Sequence, residues 1–212
     1  MSSLPNYEKD LIVLVADLDM EMAVKGILSR TKSLGIRDVT FDPLRCTGHD
    51  PDALNRNIDY LRPYLRSHAY SLVMMDRAGC GKENQSRQQL ENDLETQLSQ
   101  NGWAERTAAI VIDPELEAWV WSSSSRVPHI LGWQNKKISL RKWLEENNLW
   151  DSSSLKPQDP KTAMQEVIKY CRKPSSAATF ESLAKNVSMQ KCSDPSFQKL
   201  KNVLQKWFST PD

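Results

Sequence analysis

The chain has 212 residues, 39% hydrophobic and 26% charged, with a formal net charge of +1. That length suits one large domain or a domain with an appendage, and the balance of apolar and charged residues excludes a globally disordered chain. No apolar run approaches the roughly 18 residues of a membrane span, and Cys46, Cys80, Cys171 and Cys192 form no C-x-x-C pair, which argues against a zinc knuckle or a disulfide framework.

The polar N-terminus, MSSLPNYEKD, has neither a basic n-region nor an apolar h-region, so it does not read as a secretion signal and a cytoplasmic location is expected. DLIVLVAD (10–17) is a continuous β-prone run and predicts a strand buried on both faces. A helix is predicted over 20–33, with Met22, Ile27, Leu28 and Leu34 near helical spacing and Gly35 as its stop. DVTFDPL (38–44) reads as a second strand. DPDALNRNIDYLRPYL (50–65) opens with an Asp-Pro helix start and places Leu54, Ile58, Leu61 and Leu65 on one face. YSLVMMD (70–76) is the third strand. The polar helix ENQSRQQLENDLETQLSQNGW (83–103) carries Leu90, Leu94 and Leu98 four apart and closes at Gly102. TAAIVID (107–113) is the fourth strand. PELEAWVW (114–121) then predicts a helix with Pro114 at its first position and Asp113 as cap.

Strands and helices alternating at about 30-residue spacing argue for a Rossmann-like α/β fold with a parallel sheet of about four strands. The character changes after SSSS (122–125). No further strand is predicted. Helices are expected over 139–149, 160–173, 176–187 and 194–208, and single tryptophans (Trp133, Trp143, Trp150, Trp207) supply large anchors. The reading is an α/β domain over 1–121 and a helical C-terminal appendage over 122–212 packed on it. Charge follows the same division. Residues 1–121 hold 13 basic and 19 acidic side chains, net −6, and residues 122–212 hold 15 and 8, net +7. An acidic site beside a polyanion-binding surface fits this asymmetry, and so do two halves that attract each other.

Three strands end in aspartate: Asp17, Asp76 and Asp113. Ligands of open parallel sheets bind beyond the carboxyl ends of the strands. Asp19 and Glu21 follow Asp17, and Glu115 and Glu117 follow Asp113. Carboxylates gathered at one edge repel unless a cation sits among them, and an all-oxygen donor set suits Mg²⁺ or Mn²⁺. Such ions can activate water and stabilise a leaving oxygen in phosphodiester cleavage. The expected ligands are Asp17, Glu21, Asp76 and Asp113, with Glu115 or Glu117 positioning or deprotonating water. Each aspartate also suits a helix N-cap, a purely structural role.

The glycine turn after Asp76, RAGCGK, fails the P-loop spacing twice: Asp76 stands where the first glycine is needed and Glu83 where the hydroxyl is needed. G-x-G-x-x-G is absent too, so no nucleotide or dinucleotide cofactor is expected. Lys82 in this turn, with Lys156, Lys161 and Lys173 in the basic second part, are the candidate phosphate contacts. Cys80, beside a helix start, is a candidate for a lowered thiol pKa, though a buried, inert thiol is the commoner case. His49, His68 and His129 sit in unrelated contexts and form no nucleophilic constellation.

A Rossmann-like sheet with acidic strand ends resembles the toprim fold of topoisomerases, primases and nucleases related to the old-family phage-exclusion enzymes. That resemblance implies an acid after strand one, met here by Asp17 or Glu21, and an Asp-x-Asp pair, met here by Asp76 with Ala78 in the second place. Over nearly the whole chain, LVADLDMEMAVKGILSR, MDRAGCG, VIDPELEAWVW, LGW and the C-terminal stretch from PSSAATF to LQKWF together resemble a family of bacterial methylation-associated defence system proteins found among anti-phage genes. This resemblance implies a defence role and other defence-system proteins as partners. Metal-dependent nuclease action on nucleic acid is the expected activity. A non-catalytic adaptor or sensor subunit of a defence complex is the alternative, and a small-molecule or nucleotide sensor using the glycine turn is a third.

Overall fold

In the computed structural model, which describes residues 7–210, the four apolar runs pair as one all-parallel sheet. Strands β1 (Lys9–Val15), β2 (Phe41–Arg45), β3 (His68–Asp76) and β4 (Thr107–Ile112) lie in the order β2-β1-β3-β4. Leu11 to Val15 and Leu72 to Met75 are essentially inaccessible, because helices cover both faces of the central strands. Val15 pairs with Met74, and Asp76 with Ile112. This register brings the carboxyl ends of β1, β3 and β4 to one edge.

The helices follow the sequence with local departures that have identifiable causes. The first helical stretch is split into α1 (Leu18–Leu28) and α2 (Thr31–Leu34). Between them Arg30 leaves helical geometry, and its guanidinium binds the Ala184 and Val187 carbonyls. The next is split into α3 (His49–Asn55) and α4 (Asn57–Leu61), followed by a 3-10 turn over Arg62–Tyr64. There the buried Asn57 amide takes the Leu54 carbonyl at 2.9 Å, which a continuous helix would use in its own ladder. Helix α5 (Arg87–Leu98) starts later than expected because Ser86 and Gln89 form a capping box. The segment after β4 is a 3-10 turn, Leu116–Trp119, not the predicted helix capped by Asp113. The Pro114 carbonyl, which would open such a helix, accepts instead from the Ala78 amide at 2.9 Å.

The C-terminal part is helical, with no strand among the described residues: α6 (Arg126–Ile130), which the sequence reading missed, α7 (Leu140–Glu146), α8 (Pro160–Tyr170), α9 (Ala177–Asn186) and α10 (Pro195–Trp207). Ser139, Asp159, Ser176 and Asp194 cap α7 to α10 through their side chains. These helices share the core of the sheet. α9 crosses α1 so closely at Gly26 that an added Cβ would stand 2.6 Å from the Ala184 Cβ and 2.8 Å from the Glu181 carbonyl oxygen. Leu200 and Leu204 of α10 pack toward Val24 and Leu28 of α1 and Leu72 and Met74 of β3, and Trp207 stacks on Tyr70 at 4.6 Å.

Strand β4 lies at an edge, and α5 covers it chemically as well as sterically. The Glu91 carboxylate accepts from the Val111 amide at 3.1 Å and the Glu95 carboxylate from the Ala109 amide at 3.0 Å. Glu91 is buried, and Arg87 at 2.8 Å and Lys199 at 3.2 Å neutralise it.

Candidate functional site

Two backbone bonds build the site. The Arg77 amide donates to the Ile112 carbonyl at 2.8 Å, and the Ala78 amide donates to the Pro114 carbonyl at 2.9 Å. The turn after β3 is thereby clamped to the chain leaving β4, and the 3-10 segment is drawn beneath the end of β3. Asp76, Glu115 and Glu117 converge as a result, with one oxygen of each within 4.8 Å of the others. The Asp76 amide donates to the Asp50 carboxylate at 2.7 Å, which brings the first turn of α3 to the same place.

One atom stands out. The Asp76 Oδ1 is buried and has no hydrogen-bond partner. An unpaired buried acceptor costs about 1–3 kcal/mol, and more if it is charged. Burial pushes the Asp76 carboxyl well above the usual carboxylate range. The Asp50, Glu117 and Asp17 charges push the same way, against a hydrogen bond from the Leu116 amide. Burial likewise raises Glu117 to about 7, with Glu115 and Asp19 adding to it. Asp19 and Asp50 are also raised, chiefly by burial and then by like charge from Asp17. These carboxylates resist ionising together because the cluster has too little positive charge for them.

Lys161, at the start of α8, supplies some. Its ammonium lies 2.9 Å from the Glu115 carboxylate. Burial works against its charge, but Glu115, Glu117 and Asp76 outweigh that and hold its pKa above the ordinary lysine value.

Of the four expected metal ligands, Asp76 alone joins the trio. Asp17 caps α1, accepting from the Met20 amide at 2.9 Å, although its charge is felt at Asp19, Asp50 and Asp76. Glu21 pairs with Lys25 at 2.6 Å and reaches Arg45 at 3.8 Å. Asp113 is exposed and pairs with Arg77 at 2.9 Å. The chain turns after Asp113, so Glu115 and Glu117, expected to handle water, lie beside Asp76 instead.

The expected phosphate contacts separate in the same way. Lys156 is held by Asp194 at 2.5 Å, and Lys173 donates to the Ile130 carbonyl. Lys82 is exposed in the glycine turn, where Gly79 and Gly81 adopt positive φ of 82° and 84°. The Gly81 amide of that turn already binds the Glu83 carboxylate at 3.1 Å, so an acidic side chain fills the anion position. Cys80 is buried there, and burial raises its thiol pKa, opposite to the lowered value considered from sequence.

Asp50 is the member that sequence reasoning missed. It reads as the start of α3, and β2, which leads into that helix, carries no terminal aspartate. The signal available was DPD itself, a further acid opening a helix at the carboxyl edge of the same sheet.

The three clustered carboxylates offer only hard oxygen donors, and one oxygen of Asp76 has no hydrogen-bond partner. The residues therefore fit Mg²⁺ or Mn²⁺. No helix among the described residues is long and apolar enough to cross a membrane. No protein-family model matches the chain, and neither the curated proteins nor the solved structures yield a match.

Proposed function

We propose that the chain is an anti-phage defence protein whose Asp76–Glu115–Glu117 trio holds Mg²⁺ or Mn²⁺ and serves phosphodiester chemistry on nucleic acid. The observation that carries the reading is the buried, unpaired Asp76 Oδ1 beside two further carboxylates. Glu91, a structural carboxylate of this protein, has both oxygens bound to amides or cations, and Asp17 has one bound to the Met20 amide. The defence context is supported by the sequence motifs.

A divalent ion at the trio would draw charge from a phosphoryl oxygen and make water more acidic. The chain's own residues supply the rest. Asp76, Glu115 and Glu117 bind and orient the ion. Asp50 fixes the end of β3 through the Asp76 amide at 2.7 Å. Glu117, with a pKa of about 7, gives up its proton near neutrality and leaves a ligand oxygen behind.

The test is cleavage of plasmid or phage DNA with Mn²⁺, with and without chelator, in the wild type and Asp76→Ala. Cleavage that needs the metal and disappears in the variant is expected. DNA left intact with any divalent ion points to the second reading, a non-catalytic adaptor or sensor of a defence complex. Ala78 favours that reading. It stands where a toprim enzyme carries its second acid, and its amide is committed to the Pro114 carbonyl. Copurification with neighbouring defence proteins would then be the positive result.

A further inference from the structure

Lys161 stands at the mouth of a cluster that requires a cation, yet it comes from the basic second part of the chain. Its position is built. Asp159 caps α8 by accepting from the Thr162 amide at 2.8 Å, and Pro160 takes the first helical place. The Pro160 carbonyl accepts from the Trp121 indole at 3.0 Å, so the helix start is tied to the chain just beyond the site. Lys161 is the next residue, and its ammonium reaches Glu115 at 2.9 Å. The pairing is one-sided: the Glu115 side chain is 13% exposed and that of Lys161 is 50% exposed. The carboxylate is fixed in the site, whereas the lysine stem can swing into solvent.

We propose that Lys161 is a built-in counter-cation of the carboxylate trio, that a divalent ion displaces it, and that metal loading thereby frees its ammonium to hold the phosphate of an anionic substrate. The inference rests on the metal reading above. Without the ion, the ammonium offsets part of the repulsion among Asp76, Glu115 and Glu117. An ion bound to the trio would compete for the same Glu115 carboxylate that Lys161 now holds. Even at the dielectric of water, a unit positive charge held within about 5 Å of a divalent ion weakens its binding by about tenfold. Once displaced, the ammonium remains next to the metal, where a phosphate bridging both would satisfy it.

The test is Mn²⁺ calorimetry on the wild type, Lys161→Met, Lys161→Arg and Asp76→Asn, followed by inorganic phosphate titrated into the Mn²⁺-saturated proteins. Lys161→Met should bind Mn²⁺ about tenfold more tightly than the wild type, and Lys161→Arg should stay close to it. Phosphate should bind the metal-loaded methionine variant about tenfold more weakly. Lys161→Gln replaces the methionine variant if that one fails to fold. Equal or weaker Mn²⁺ binding by the neutral variants, with Asp76→Asn binding none, overturns the counter-cation and leaves the metal site standing. Unchanged phosphate affinity overturns the release of the ammonium. If neither the wild type nor any Lys161 variant binds Mn²⁺, the metal reading falls and this inference falls with it.

Discussion

Replacing Glu117 by glutamine is the most direct probe of how the acidic edge is held together. Glu117 is 9% exposed, and its pKa rises from 4.5 to about 7, with burial as the first cause. Keeping it ionised in the fold at pH 8 therefore costs about 3 kcal/mol relative to the unfolded chain. Because the folded pKa is the higher one, stability is fully present below about pH 4.5 and falls as pH rises through about 7. Glutamine keeps the shape and removes the charge. Metal-free Glu117→Gln should be more stable than the wild type at pH 8 by about 2–3 kcal/mol, a rise of about 4–12 °C in Tm for a domain of this size. The weakened attraction to Lys161 accounts for the lower end. The advantage should vanish at pH 4. Scanning calorimetry in chelator at pH 4, 6 and 8 reads all of this. Equal Tm values for the two proteins at pH 8, or a gap that persists unchanged at pH 4, would refute the reasoning.

Three further outcomes are expected. Asp76→Asn should gain stability at pH 8 without metal and lose Mn²⁺ binding, while in the wild type Mn²⁺ should displace protons, seen as a buffer-dependent heat near pH 7. Glu91→Ala should cost about 3 kcal/mol in urea unfolding, since it strands the half-buried Arg87 charge and the Val111 amide. Gly26→Val should cost about 1–3 kcal/mol or more, because the α1–α9 crossing has no room for a side chain. Unchanged unfolding midpoints would contradict the last two.

The central strands of the sheet were legible because their apolar runs are fully buried. Runs such as LIVLV and SLVMM, short and without polar alternation, suit a strand covered on both faces. The helix starts of the second part were legible through Ser139, Asp159, Ser176 and Asp194, whose side chains act within three residues of themselves. Interruptions were not. Asn57 breaks a helix by taking a carbonyl, and nothing in its spacing announces that. The site was half legible for the same reason. That acids gather at the carboxyl edge follows from strand ends, so Asp76 could be placed at that edge. Which of them converge depends on the clamp between Ala78 and Pro114, a contact between two loops that is invisible to any local pattern. Thus Asp17 and Asp113, equal to Asp76 as strand-end acids, became a cap and a surface ion pair.

The edges of the sheet limit how this protein can meet others. At one side, the outward amides of Ala109 and Val111 are spent on Glu95 and Glu91. At the other, Pro43 sits in the middle of five-residue β2 and has no amide to give. Each border is thus interrupted, which discourages an incoming strand from extending the sheet.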